Sequence, residues 1–170
     1  TLIVAVTVNN VNRVPALAAI GAQSVNEGQT LDVHVTATDP DGTTPTLSAI
    51  NLPTNASFAD STTGGGLLTF TPDFTQAGVY NISFIASDGA LADTLTVAVT
   101  VNNVNRKPVL AGIGAQTLDE GQTLNIHVTA TDPDGTTPTL SAINLPANAS
   151  FADSTTGGGL LTFTPSFSQT

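Results

Sequence analysis

Residues 30–38 read TLDVHVTAT, and their alternation decides the fold. Leu31, Val33, Val35 and Ala37 fall on one side, and Asp32, His34 and Thr36 on the other. This period of two places successive side chains on opposite faces of an extended strand. With one apolar and one polar face, such a strand is half-buried and needs a sheet around it. The same alternation runs through residues 94–101, where Leu95, Val97, Val99 and Val101 face inward, and through Tyr80, Ile82, Phe84 and Ala86. Further strands are expected at residues 16–20, 46–50 and 67–71, separated by DPDG, NLPTNA, TTGGG, TPDFTQAG and SDGALAD, which are turn-forming sequences. No stretch carries the 3.6-residue period of a helix.

The alternating strand occurs twice because the chain nearly repeats itself with a period of 93 residues. Residues 1–13 (TLIVAVTVNNVNR) return as residues 94–106 (TLTVAVTVNNVNR), and residues 14–76 return as 107–169 with about a dozen substitutions. Near-identity over a whole domain length implies a tandem array in which each repeat is one structural unit. Six or seven short strands in about 93 residues describe an antiparallel β-sandwich large enough to fold alone. The expected division is residues 1–13 as the final strand and linker of a preceding repeat, 14–106 as a complete repeat with its linker, and 107–170 as a second repeat truncated before its last two strands. Residues 77–93 have no second copy, as expected of a window on a longer array. The alternative is a subunit completed by a neighbour's strand, a homopolymer by strand donation, since a sheet edge invites pairing.

Composition narrows the function classes. Three basic residues against thirteen acidic ones give a net charge of −10, which repels phosphate backbones and anionic headgroups and argues against nucleic acid and membrane surfaces. No apolar run reaches the roughly 18 to 20 residues that span a bilayer. Cysteine is absent, so there is neither a disulfide framework nor thiol chemistry. Lys107 is the single lysine, which excludes a Lys–Asn isopeptide staple within the first complete repeat.

In residues 76–84 (QAGVYNISF), a Gly precedes a Tyr that is followed two places on by the inward Ile82. This resembles the tyrosine corner that leads into strand F of immunoglobulin-like domains, and it implies that the Tyr80 hydroxyl holds the preceding loop. VTATDPDG at 35–42, NEGQTL at 26–31, ASDG at 86–89 and the linker VNNVNRKP at 101–108 resemble the Ig-like and cadherin-like tandem repeats of large bacterial surface proteins and adhesins. The resemblance covers the entire chain. It implies an all-β fold of tandem immunoglobulin-like antiparallel sandwiches, at the cell surface or outside the cell.

In cadherin-type repeats the pattern V-x-A-x-D-x-D supplies carboxylates to calcium. Val35, Ala37, Asp39 and Asp41 match it, as do Val128, Ala130, Asp132 and Asp134. On an Ig-like topology, the Asp39–Asp41 turn and the loop carrying Asp88 share the end where the linker enters, and Glu27 sits at the opposite end. A junction would then gather Glu27, Asn102, Asn103, Asn105, Asp132 and Asp134, oxygen donors suited to a calcium ion with six to eight ligands. Where calcium-bridged relatives usually carry aspartates, however, this linker reads Asn103-Val104-Asn105-Arg106. Arg106 beside Asp132, Asp134 or Glu27, and Arg13 beside Asp39, Asp41 or Asp88, offers an interdomain salt bridge in place of a metal. A third reading takes Asp-Pro-Asp-Gly as a solvated turn and nothing more.

No catalytic constellation emerges, and the chain reads as no enzyme. His34 and His127 are copies of one outward strand position, and Asp39 and Asp41 are too close in sequence to be the opposed carboxylates of a glycosidase. Gly64-Gly65-Gly66 lacks a following Lys-Ser and reads as a turn or bulge before a strand. Asn55, Asn81 and Asn148 open triplets that fit the glycosylation sequon, which matter only in a host with that chemistry. The function expected is a structural spacer: rigid sandwiches stacked end to end as an adhesin stalk or extracellular filament, with neighbouring repeats as partners. The alternative is a module that binds a cell-surface glycan or protein, although eight aromatics without a tryptophan leave few stacking platforms.

Overall fold

In the computed structural model, which describes residues 1–168, the chain forms twelve strands and no helix. They are β1 (Ala16–Leu17), β2 (Gln23–Asn26), β3 (Leu31–Thr38), β4 (Thr46–Ile50), β5 (Ala56–Asp60), β6 (Gly65–Phe70), β7 (Gly78–Ser87), β8 (Ala92–Asn102), β9 (Val109–Leu110), β10 (Leu124–Thr131), β11 (Ala149–Asp153) and β12 (Gly158–Phe163). The chain divides into two compact units, Thr1–Val104 and Asn105–Thr170.

Unit 1 is a two-layer sandwich. One sheet has the order β1-β3-β6-β5 and the other β2-β8-β7-β4. All pairs are antiparallel except β2 with β8, which run parallel from Gln23 opposite Val99 to Asn26 opposite Asn102. The inward alternation of β3 delivers Val33, Val35 and Ala37 to the interior, where Leu68 and Phe70 of β6 join them. The second sheet contributes Ile82, Phe84 and Ala86 from β7, Val97, Val99 and Val101 from β8, and Leu47 from β4. Phe58 and Phe84 meet across the core at 5.6 Å between ring centroids, and Phe70 meets Tyr80 edge-on at 5.7 Å. Each large side chain buried this way contributes roughly 1.5–3 kcal/mol.

Several expected boundaries shift. The strand expected at 16–20 is only Ala16–Leu17, and β2 and β5 form where none was expected. Only Gly64 of the triple glycine lies in the turn, with φ of +79°, while Gly65 and Gly66 are strand residues paired with Thr36 and Val35 of β3. The sequence signals a turn because glycine lacks a side chain to pack. Here that is what the strand requires, because a Cβ on Gly66 would come within 2.4 Å of the Phe58 ring.

Unit 2 contains a single described sheet, β11-β12-β10-β9, whose register repeats that of β5-β6-β3-β1. Val128, Leu161 and Phe163, copies of the fully buried Val35, Leu68 and Phe70, are half-exposed. Its open face carries an apolar depression of about 380 Å³ lined by residues including Leu110, Val128, Ala130, Leu140 and Leu161. Residues 139–143 (TLSAI) repeat the sequence of β4, yet form no strand. The reason is the ladder: β4 is hydrogen-bonded to β7, and the chain holds one copy of the β7 sequence. Residues 1–8, nearly identical to the start of β8's core-lining segment, likewise lie outside any ladder, with Leu2 and Ile3 each 91 % exposed.

Candidate functional site

The acidic residues singled out in the sequence gather at the ends of the sandwich. At one end, Asp39-Pro40-Asp41-Gly42 closes the turn after β3. Asp39 Oδ1 accepts the Asp41 N–H at 2.7 Å, and the Asp39 carbonyl accepts the Gly42 N–H at 3.1 Å with Gly42 at φ +81°. This fixes the Asp41 carboxylate facing Arg13. The Arg13 main-chain N–H donates to Oδ2 at 2.5 Å, Nε donates to Oδ1 at 2.8 Å, and Nη2 donates to the Pro40 carbonyl. Arg13's side chain remains 59 % exposed while that of Asp41 is 5 % exposed, so the arginine covers the carboxylate. These bonds, the main-chain one first and the side-chain one second, hold the Asp41 carboxyl below the usual carboxylate range.

Asp88 shares this end. Its Oδ1 accepts the Ala90 and Leu91 N–H groups at 2.7 Å each, and its Oδ2 accepts Asn12 Nδ2 at 2.8 Å. The Leu91 and Ala90 amides, followed by Asn12, lower its pKa. Nothing in the sequence drew attention to Asn12, or to Asp93, whose Oδ2 accepts the Leu17 N–H at 2.9 Å. Both do what Asp41 does, tying the entering chain to the turns.

Unit 2 repeats the device. Asp132 Oδ1 accepts the Asp134 N–H at 2.8 Å. The Arg106 main-chain N–H donates to Asp134 Oδ2, its Nε to Oδ1 at 2.7 Å, and its Nη2 to the Pro133 carbonyl at 2.5 Å. The Asp134 carboxyl is lowered by the same causes in the same order. Both arginines thus pair with an aspartate inside their own unit.

Glu27 lies at the other end of unit 1 and is 2 % exposed. Its Oε1 accepts the Ala77 N–H at 3.0 Å, and its Oε2 accepts the Val104 N–H at 2.9 Å. Its own N–H donates to the Asn102 carbonyl at 3.1 Å, extending the β2–β8 ladder by one bond. Tyr80 donates its hydroxyl to the Gln76 carbonyl at 3.0 Å, four residues upstream, and so holds the loop before β7. Asn102 Nδ2 donates to Asn26 Oδ1 at 3.1 Å and Asn105 Nδ2 to the Arg106 carbonyl at 3.4 Å, while Asn103 is exposed.

The donors expected for a calcium ion, which takes six to eight oxygens, are drawn from both units, and within each unit the carboxylates serve the protein's own N–H groups. Both oxygens of Glu27, Asp41, Asp88 and Asp134 already accept N–H groups. Among the described residues, no three acidic or histidine side chains converge on a metal-sized space, and Asp39 Oδ2 is the one buried side-chain oxygen without a partner.

His34 and His127 are exposed on the outer face of their sheets. Each borders a shallow depression, about 370 Å³ beside His34, Ser61 and Leu67 and about 320 Å³ beside His127, Ser154 and Leu160. Neither is lined by a Phe, Tyr or Trp ring, the broad apolar faces on which a sugar ring stacks.

Two packed sheets ordered β1-β3-β6-β5 and β2-β8-β7-β4, with a tyrosine corner leading into β7, define an immunoglobulin-like sandwich. The chain belongs to the bacterial Ig domain family, whose profile matches residues 12–102. It is similar to Chitinase A of Pseudoalteromonas piscicida, at 32 % identity over 126 residues, spanning 73 % of this chain and 15 % of that protein. Among solved structures it is similar to an endo-fucoidan hydrolase of glycoside hydrolase family 107, MfFcnA4 (TM-score 0.48, 15 % identity, 90 % of this chain and 24 % of that one). It is also similar to titin domains Z1Z2 in complex with telethonin (TM-score 0.46, 16 % identity, 90 % and 82 %). No helix among the described residues is long and apolar enough to cross a membrane.

Proposed function

We propose that the chain is a non-catalytic spacer segment of an extracellular protein, a run of sandwich repeats that separates or carries other domains. The observation that carries this reading is the use made of its polar groups. The acidic residues that could have formed a site accept main-chain N–H groups at the turns and linkers, as Glu27, Asp41, Asp88, Asp93 and Asp134 do. A surface built to hold itself in place and copied nearly unchanged along the sequence suits a repeat whose property is length. The likeness to part of a chitinase supports an accessory segment in a secreted, multidomain protein. An adhesin stalk or filament is the same role in another setting.

One observation favours a second reading: the likeness covers part of a protein named a chitinase, and a segment of such a protein suits binding to chitin. Pull-down of the full chain on chitin, together with small-angle scattering in millimolar calcium and in EDTA, tests both readings. Failure to be retained, with a distance distribution that stays narrow on chelation, supports the spacer. Retention on chitin replaces it by the binding reading, and a distribution that is broad in both conditions overturns it.

A further inference from the structure

We infer that the linker is clamped on either side of Asn105 by main-chain hydrogen bonds to carboxylates, and that these clamps order it without a cation. On one side, within unit 1, Glu27 accepts the N–H of Val104. On the other, within unit 2, Asp134 accepts the N–H of Arg106. One residue separates the two anchors, each of which belongs to its own unit.

The chemistry of each clamp explains why it holds. Glu27 is buried, and each of its oxygens is matched to one amide, Val104 in the linker and Ala77 in the loop before β7. A carboxylate in this position links that loop to the departing chain, and hydrogen bonds to an ionised acceptor are about twice as strong as neutral ones. Asp134 takes a main-chain N–H on one oxygen and Nε on the other, while Nη2 of the same arginine binds the carbonyl of Pro133. The Arg106 backbone and side chain therefore close on a single turn. Arg13 and Asp41 form the same figure in unit 1, so the clamp is a property of the repeat sequence and not of one environment. The positive charge that a calcium ion would bring to this turn is already supplied by the guanidinium.

This inference rests on the spacer reading for its purpose, but its test does not. Amide hydrogen exchange by NMR on the full chain reads each clamp directly. The Val104, Ala77 and Arg106 amides should be protected equally in EDTA and in millimolar calcium. Glu27→Gln puts an NH₂ donor where one amide needs an acceptor. It should speed exchange at Val104 or Ala77 by at least about tenfold without affecting Arg106. Asp134→Asn should do the converse. Persistent protection of the β7 and β8 amides for unit 1, and of the β10 and β12 amides for unit 2, shows that a variant is folded, and should Glu27→Gln fail that control, Asp134→Asn and Asp41→Asn, read at Arg106 and Arg13, carry the test. Open-chain exchange at Val104 or Arg106 in the unmodified protein, acceleration by EDTA alone, or folded variants without local acceleration would each overturn the clamps. Retention on chitin would remove the spacer reading and leave the clamps standing.

Discussion

Thr62 has φ of +61°, in the left-handed region that a β-branched residue rarely enters. Its copy Thr155 sits at the same value, so the conformation belongs to the β5–β6 turn itself. Asp60 Oδ1 holds the Thr62 N–H at 3.0 Å, and Ser61 Oγ bonds the Gly65 carbonyl at 2.7 Å, which is how the turn tolerates the residue. Asn51 and Asn55 occupy the same region with a side chain that suits it. Replacing Thr62 by Asn should therefore stabilise unit 1 by about 1 kcal/mol, a rise of roughly 4–8 °C in melting temperature that calorimetry would detect. The opposite holds four residues on. Gly66→Ala drives a methyl against the Phe58 ring, which packs on Phe84, and should cost about 1–3 kcal/mol in a urea titration. An unchanged midpoint would mean that Phe58 moves aside freely.

At the scale of elements, the long alternating strands β3, β7 and β8 are legible in the sequence because each carries its own burial pattern. The strands that could not be read, such as β2 and β5, are those made by their partners, and the ladders to β3 and β5 likewise move the start of β6 from the expected Leu67 back to Gly65. TLSAI is a strand at 46–50 and irregular at 139–143, which no local rule could separate. The candidate site follows the same division. DPDG and the arginines stand out by residue type, and Tyr80 by its setting, but the choice of Asp41 over Asp39 or Asp88 as the partner of Arg13 depends on the turn geometry. Glu27 is legible as a junction carboxylate at the far end of the sandwich, a candidate calcium ligand or partner of Arg106. Its burial, and its hold on two distant amides, come from the closure of β2 beside β8.

The turns also set the response to acid. Asp41, Asp73, Asp88 and Asp134 have carboxyls lowered by the hydrogen bonds they accept, with Thr75 the source at Asp73. A carboxyl lowered in the folded state adds stability above its unfolded pKa of about 3.9. That stability is lost as pH falls through the lower folded value. Melting temperature should accordingly be flat from neutrality to about pH 5 and fall below about pH 4. Arg13→Ala should make the fall shallower, because it removes a side-chain cause of the Asp41 shift. An identical pH profile for the variant would contradict the pairing.

At the scale of the molecule, the two units carry nearly the same sequence with different burial. In unit 1, Val35 and Leu68 are sealed under a second sheet, whereas in unit 2 Val128 and Leu161 face an open depression. Local stability follows buried apolar contact, so the amides of β10 should exchange well before those of β3, although their sequences differ at two of eight positions. Equal protection would show that the single sheet needs no cover.

The parallel pairing of β2 with β8 has a mechanical consequence. The chain enters β2 from its amino end and leaves β8 from its carboxyl end, and the two strands point the same way. Tension applied through the linkers therefore pulls the strands past each other along their length, loading the four paired positions together in shear instead of peeling them apart one at a time. Glu27 reinforces the end where the load leaves, since its N–H binds Asn102 and its carboxylate binds Val104. A stretching force along the chain would thus meet the β2–β8 ladder in shear.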